Sequence, residues 1–326
     1  MNNPFSADWS WNMKILDEET LRGRIGEPEA FSAVQKAFRA LAEGMVIQPP
    51  PLGLELEKVR GEVHVKGAFL EGEPVFVLKV ASGFYRNPER GLPTGSGLLL
   101  VFDASTGFPL ALLRDNGYLT ELRTGAAGAL AVHLLAPDRP LAAGVLGAGS
   151  QARFQLRAMA RVRSIRQLRA WSPEPGEALE YADEMRTSLG IPTVPAESPE
   201  EAVAGADLVV TVTPARRPIL ELAWLAGSAT VIAVGSDGPE KQELASGILG
   251  AAGKVVVDSR AQCLALGEVH HAIDAGLLDP EDIHAELGEI VVGSRPGREG
   301  EELIVCDLTG VGAQDAAARP CTCRGA

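Results

Sequence analysis

The stretch Leu141-Ala-Ala-Gly-Val-Leu-Gly147-Ala148-Gly149-Ser150-Gln151-Ala152-Arg-Phe-Gln-Leu-Arg-Ala-Met-Ala-Arg-Val162 decides the fold. An apolar run, a turn with two glycines and an amphipathic stretch follow one another without a break. A G-x-G-x-x-(G/A) motif counts as dinucleotide-binding in this strand–turn–helix setting and not outside it. Gly147 permits the tight turn, Gly149 lets the backbone approach a pyrophosphate, and Ala152 allows close helix packing. The helix start at Ala148, Ser150 and Gln151 offers free N–H groups and a positive dipole end. An ordinary glycine-rich turn between strand and helix would look the same, so the surroundings must decide.

Those surroundings are LAAGVLG (141–147), QLRAWS (167–172), DLVVTVT (207–213), TVIAVGS (230–236) and KVVVDS (254–259), alternating with helical stretches. Near-continuous Val/Ile/Leu runs mean strands buried on both faces, hence an α/β Rossmann domain with a parallel sheet. Ligands of such sheets sit beyond the carboxyl ends of the strands, which adds Ser172, Thr213, Gly235 and Ser236 to the expected cofactor contacts. The second run ends at Trp171-Ser172-Pro173, with Glu174 and Glu177 but no Arg or Lys before Glu180. An acidic loop disfavours an additional phosphate, so NAD(H) is favoured over NADP(H).

The preceding residues are patterned differently. A helix is expected over EAFSAVQKAFRALAEG (29–44), followed by short strands LGLEL (52–56), EVHVKGAFL (62–70), PVFVLKVAS (74–82), GLLLVFD (97–103) and PLALLRD (109–115). Gly, Pro and Asn turns between them suggest a mostly antiparallel or mixed sheet. From Leu119 an Ala/Gly-rich helix reads as the hinge, its small residues allowing close packing. The expected domains are 1–130, with the C-terminal helix of 308–326 packing back on it, and a cofactor domain over 131–307.

With 326 residues, 46 % of them apolar, the chain can bury two cores. A formal charge of −13 excludes nucleic acid and anionic membrane surfaces as expected partners. No apolar run is long enough to span a membrane, and the N-terminus lacks a secretory pattern. Four cysteines make no disulfide framework, so a cytoplasmic setting is expected. Cys321 and Cys323 lack further ligands nearby, and no metal is expected. The 36 glycines stand out against 4 Trp, 3 Tyr and 9 Phe, and ask what the backbone approaches closely.

Several charged residues lie where apolar ones belong. Lys79 interrupts a run that is apolar on both faces, so it either finds an anion or snorkels from an edge strand. Lys66 raises the same question. Arg123, in the hinge helix, either clamps a carboxylate bidentately or is merely solvated. Asp237, after the strand TVIAV, either handles a proton beside a nicotinamide or forms a turn. His270 and His271 are adjacent on a helix, are expected to point apart, and are not assigned to catalysis.

The blocks KVASGFYRNPERGLPT, LLRDNGYLTELRTGAAGALA, GAGSQAR, ADLVVTVTP, VGSDGPEKQEL and DLTGVGAQD resemble the ornithine cyclodeaminase/μ-crystallin family, over about residues 15–318. Within it, GEVHVKGAF, SGFYRNP and GEVHHAI look most like the ectoine-utilisation cyclodeaminase-like proteins and, more distantly, iminosuccinate reductase. The resemblance implies a Rossmann domain plus an α/β substrate-binding and dimerisation domain, and a homodimer. It makes Lys79 and Arg123 binders of the substrate carboxylate, counts Lys79 with Asp237 as catalytic, Asp237 being the acid at the substrate nitrogen, and makes Thr94 and Thr124 neighbours of the nicotinamide. Lys66 stands where the cyclodeaminase has a glutamate, which favours a second anionic group on the substrate. The family arginine shortly before it has no clear counterpart. The implied function is NAD(P)H-dependent reduction of a small anionic imino acid, or the reverse, in ectoine, hydroxyectoine or hydroxyaspartate catabolism. The alternatives are a cyclodeaminase-type lyase with internally recycled NAD and a μ-crystallin-like cofactor-dependent binding protein.

Overall fold

In the computed structural model, which describes residues 13–320, two sheets are joined by the helix Tyr118–Leu135. The first sheet has seven strands: Lys14–Asp17, Val46–Ile47, Leu52–Leu56, Gly61–Leu70, Val75–Phe84, Gly95–Asp103 and Pro109–Arg114. All its pairings are antiparallel except that of the first strand with the last. Side chains alternate across it. Val75, Val77, Leu99 and Val101 are buried in one cluster with Ala30, Val34 and Phe38 of the helix Glu27–Ala42. The other face carries exposed Leu54 and Leu78 and the stacked rings of Phe76 and Phe102, 4.9 Å apart. Lys79 takes the next inward place after Val75 and Val77, on a strand flanked on both sides. The edge-strand reading of Lys79 is therefore wrong.

The second sheet has eight parallel strands in the order Thr193–Pro195, Ile165–Trp171, Leu141–Leu146, Leu208–Thr211, Thr230–Ala233, Ile304–Asp307, Lys254–Val257 and Ile283–Glu286. The two strands at its edges carry no long apolar run, so periodicity did not single them out. Ile304–Asp307 enters the middle of the sheet, and the chain then leaves that strand's carboxyl end for the helix Gly312–Ala317. This helix packs on Gly61–Leu70 and Val75–Phe84 of the first sheet. One short segment thus ties the floor of one half to the open edge of the other.

Close backbone approach sets the hinge. A Cβ on Gly125 would stand 2.8 Å from the carbonyl oxygen of Phe154, so the helices Tyr118–Leu135 and Ser150–Val162 touch through glycine. No helix among the described residues is long and apolar enough to cross a membrane. Cys321 and Cys323 lie outside the described residues.

Candidate functional site

Three cations converge on the segment that runs from Thr309 to Asp315. Lys66 and Lys79 face each other directly across antiparallel strands. Each is almost fully buried, at 6 % and 1 % exposure, as is Arg123 at 5 %. Asp315 lies between them: Lys79 Nζ reaches its Oδ1 at 3.1 Å and Oδ2 at 2.9 Å, while Arg123 Nε donates to Oδ1 at 2.9 Å. Arg123 also donates to Gln314 Oε1 at 2.7 Å, so it is no solvated surface arginine. Lys66 Nζ turns to backbone, donating to the carbonyls of Thr309 at 3.0 Å and Gly310 at 2.6 Å. Gly310 is placed by its φ of +77° and by Asp258 Oδ2, which accepts its N–H at 2.6 Å.

Burial, reinforced by Arg123 and Lys66, pushes the Lys79 ammonium down to about 7, against the opposing pull of Asp315. Burial also lowers Lys66, again with Arg123 adding to it. For Asp315, burial favours the neutral acid, but Arg123 and Lys79 outweigh it and hold the carboxyl below its ordinary range. Lys79 and Arg123 share one strongly ionised acid while Lys66 is held by backbone carbonyls, an arrangement suited to a further carboxylate.

Asp237 sits in the loop after Thr230–Ala233, its side chain 36 % exposed. Its Oδ1 accepts from Lys241 Nζ at 2.6 Å, and no turn-forming bond to backbone is recorded for it. Burial works to raise it, yet Lys241, His64 and Lys66 hold it well below the usual carboxylate range. Beside it lies a cavity of about 610 Å³ between the halves, lined in part by Glu62, Tyr85, Arg216 and Lys241. His270 and His271 correct the expectation that they diverge: their rings stand 3.8 Å apart, and their Nε2 atoms contact the carbonyls of Pro239 and Lys241 at 3.0 and 2.9 Å. Both brace the Asp237 loop.

The glycine turn has the features a pyrophosphate needs. Gly147 has φ +116°, and a Cβ there would stand 2.7 Å from the Val212 carbonyl oxygen. At Gly149 a Cβ would meet nothing within 4 Å, and no side chain caps the helix that starts at Ser150. Ala152 is fully buried. Arg153 donates to the Ala148 and Gly149 carbonyls at 2.5 and 3.1 Å and is paired with Glu184 at 2.6 Å. Gln151 Nε2 donates to Glu121 Oε2 at 2.7 Å, and burial pushes Glu121 up to about 7. Ser172 Oγ donates to Glu177 Oε2 at 2.8 Å, which places an acid at the end of the second strand.

Thr213 and Gly235 are joined by a residue that sequence reasoning missed. Glu243 accepts from the N–H and hydroxyl of Thr213 at 2.6 and 2.8 Å, from the Thr211 hydroxyl at 2.8 Å, and from Gly235 N–H at 2.9 Å. Ser236 Oγ donates to the Lys241 carbonyl. Thr124 offers its carbonyl to Gln155 Nε2 at 2.9 Å, and half-buried Thr94 accepts from Phe84 N–H at 2.8 Å. No recorded bond links either threonine to the cation cluster. Lys241, Glu62, Tyr85 and Asp315 were also missed, since charge in a turn or a short helix is ordinary, as are a Glu at the start of a strand and a Tyr just past the end of one.

A family model described as the ornithine cyclodeaminase/mu-crystallin family matches residues 15–321. Among solved structures, Delta(1)-pyrroline-2-carboxylate reductase of Thermococcus litoralis, in complex with NADH and L-proline, is 34 % identical with TM-score 0.89 and coverage of 94 % and 95 % of the two chains. An archaeal alanine dehydrogenase dimer with bound NAD is 37 % identical, with TM-score 0.87 and coverage of 94 % and 93 %. Iminosuccinate reductase of Paracoccus denitrificans, with NAD⁺, is 32 % identical, with TM-score 0.84 and coverage of 94 % and 93 %.

Proposed function

Because this chain belongs to the ornithine cyclodeaminase/mu-crystallin family, we propose that it reduces a small imino acid with a nicotinamide cofactor, or oxidises the amino acid in reverse. The observation that carries this is the grip of buried Lys79 and Arg123 on one carboxylate, that of Asp315, with Lys66 directly opposite Lys79. Of the expected domains 1–130 with 308–326 and 131–307, we assign the described residues 13–130 and 308–320 to the substrate and dimerisation half and 131–307 to the cofactor half; the helix expected over 308–326 is seen as Gly312–Ala317, and 321–326 lie outside the described residues. The likeness to NAD-bound relatives and the acid-lined end of the second strand support NAD(H) over NADP(H).

The Gly147–Gly149 turn and the carboxyl ends of the second sheet's strands would hold a nicotinamide cofactor, which when bound would supply hydride to the imine carbon or take it in reverse. Lys79 and Arg123 bind the α-carboxylate and orient the carbon. Asp237, ionised, faces the protonated imine nitrogen; the positive charge there disappears as the C–H bond forms, and the amine then takes a proton that Asp237 relays from water. In the oxidative direction Asp237 accepts the proton from the substrate ammonium. Lys66 keeps one N–H beyond its two backbone contacts, which supports a substrate with a second anionic group. An iminosuccinate-like compound, as in ectoine, hydroxyectoine or hydroxyaspartate catabolism, fits this reading.

Reduction is favoured over cyclodeamination because Glu62, the acid on the floor nearest Asp237, is already paired with Lys241 and Tyr85 and is not free for a second amine. The apolar outer face of the first sheet supports a homodimer, and the buried free thiols of Cys263 and Cys306 fit a reducing cytoplasm. The test is steady loss of NADH absorbance with imines formed from 2-oxo acids and ammonia, oxaloacetate included. Ammonia release from a diamino acid under NAD⁺, without absorbance change, would establish the lyase instead.

A further inference from the structure

One ammonium spans the cleft. Lys241 Nζ lies 2.6 Å from Asp237 Oδ1, 2.8 Å from Glu62 Oε1 and 3.2 Å from the Tyr85 hydroxyl oxygen. The Tyr85 O–H donates in turn to Glu62 Oε1 at 2.6 Å. Asp237 and Lys241 belong to the loop that follows Thr230–Ala233, whereas Glu62 belongs to the first sheet and Tyr85 to the turn after its strand Val75–Phe84. The backbone of Lys241 is itself fixed, since its carbonyl accepts from Ser236 and from His271.

We propose that Lys241 is a positioning residue for the reaction inferred above: it holds Asp237 as an ionised acceptor aimed at the substrate nitrogen, and Glu62 with Tyr85 anchors it from across the cleft. The proposal rests on that functional reading for its chemistry, but the charge arrangement stands on geometry alone. Glu62, His64 and Asp237 offer ligand atoms all within 4.8 Å of one another, a spacing that suits a cation. The Lys241 ammonium is that cation. Without it two carboxylates would share one partly buried place, and one of them would take up a proton.

The groups that face Asp237 are Lys241 from its own loop, Glu62, His64 and Lys66 from Gly61–Leu70, and Tyr85 from the turn after Val75–Phe84. Burial opposes charge on Lys241, yet Asp237, Tyr85 and Glu62 together raise it, so it stays protonated across neutral pH. The ionised state of Asp237 is the useful one in both directions. A carboxylate attracts an iminium nitrogen and can accept a proton from an ammonium; a neutral acid does neither.

The test uses the full chain and two readouts. The Asp237 carboxyl is titrated by carbon-13 NMR, assigned with Asp237→Asn, in the unaltered protein, Lys241→Met and Lys241→Arg. The midpoint is expected to rise by about two pH units or more in Lys241→Met and by less than about one in Lys241→Arg. If Lys241→Met fails to fold, the double variant E62Q/K241M, which removes one charge of each sign, carries the same titration, with a smaller rise of about one unit expected because the repelling Glu62 charge is gone as well. In parallel, the acid limb of kcat/KM on an imino acid that the unaltered protein reduces should move upward in Lys241→Met, with kcat at least tenfold lower, and stay in place in Lys241→Arg. A merely structural lysine would lower kcat without moving the limb. An unmoved carboxyl midpoint in the folded variant overturns the proposal. If the unaltered protein reduces no imino acid, the functional reading falls while the titration still decides the role of Lys241.

Discussion

Lys66 and Lys79 stand directly opposite one another across two antiparallel strands, both buried, with a single ionised acid, Asp315, bonded to one of them. Like charges placed this way are destabilising unless anions intervene. The pair is therefore a standing demand for negative charge, and it makes substrate binding sensitive to pH. With Lys79 pushed down to about 7, the protonated form that binds a carboxylate dominates below that pH. KM for the imino acid should be flat below about pH 7 and rise toward tenfold per unit above it. In Lys66→Met the rise should begin at a higher pH, because one repelling charge is gone, while burial and Arg123 still hold Lys79 down. A KM flat to pH 9 in the unaltered protein would remove Lys79 from the binding site.

Asp315→Asn leaves Lys79 and Arg123 facing each other without their shared acid. Breaking a buried ion pair on one side costs on the order of 3–5 kcal/mol. The melting temperature should fall markedly, turnover should drop by about a hundredfold or more, and added sulfate or substrate should restore part of the lost melting temperature. A variant as stable as the parent would show that Asp315 does not balance these cations.

How much of this was legible beforehand differs residue by residue. Lys79 and Arg123 stood out because each carries charge in an apolar setting, and the structure buries both. Asp315 did not, because its partner Lys79 lies 236 residues away and an Asp in an Ala-rich segment has no local signature. The five long apolar runs announced the second sheet, while its short, partly polar edge strands carry too few residues for a period to register. The histidine pair misled because helical geometry separates adjacent Cβ atoms, whereas both side chains bend toward the same loop carbonyls.

Glu121 makes cofactor affinity depend on pH. It contacts Gln151 at the helix start, and burial brings it to about 7. If the Gly147–Gly149 turn holds the cofactor phosphates as proposed, ionisation there would bring a carboxylate close to them, so NADH should bind more weakly as pH rises through 7. Glu121→Gln should give an NADH Kd, read by nicotinamide fluorescence, that no longer changes between pH 6 and 8. Persistence of the full change in that variant would assign it to another group.

Gly125→Val should separate the two helices that touch at Phe154. The nearest obstacle to a side chain is a backbone carbonyl, which cannot rotate away. Overpacking of this kind costs roughly 1–3 kcal/mol. A lower melting temperature and weaker NADH binding are expected together, because the displaced helix carries the glycine turn. An unchanged melting temperature would show that the hinge tolerates separation.

The central claim is that hydride reaches the α-carbon of an imino acid held by Lys79 and Arg123. It is tested most directly by incubating the protein with NADH deuterated at both C4 positions and imines formed from 2-oxo acids and ammonia, then locating the label by mass spectrometry. The account predicts one deuterium at the α-carbon of the amino acid product and none when Arg123 is replaced by Met. Product formed without deuterium, or ammonia released from a diamino acid with no net NADH consumed, would contradict it.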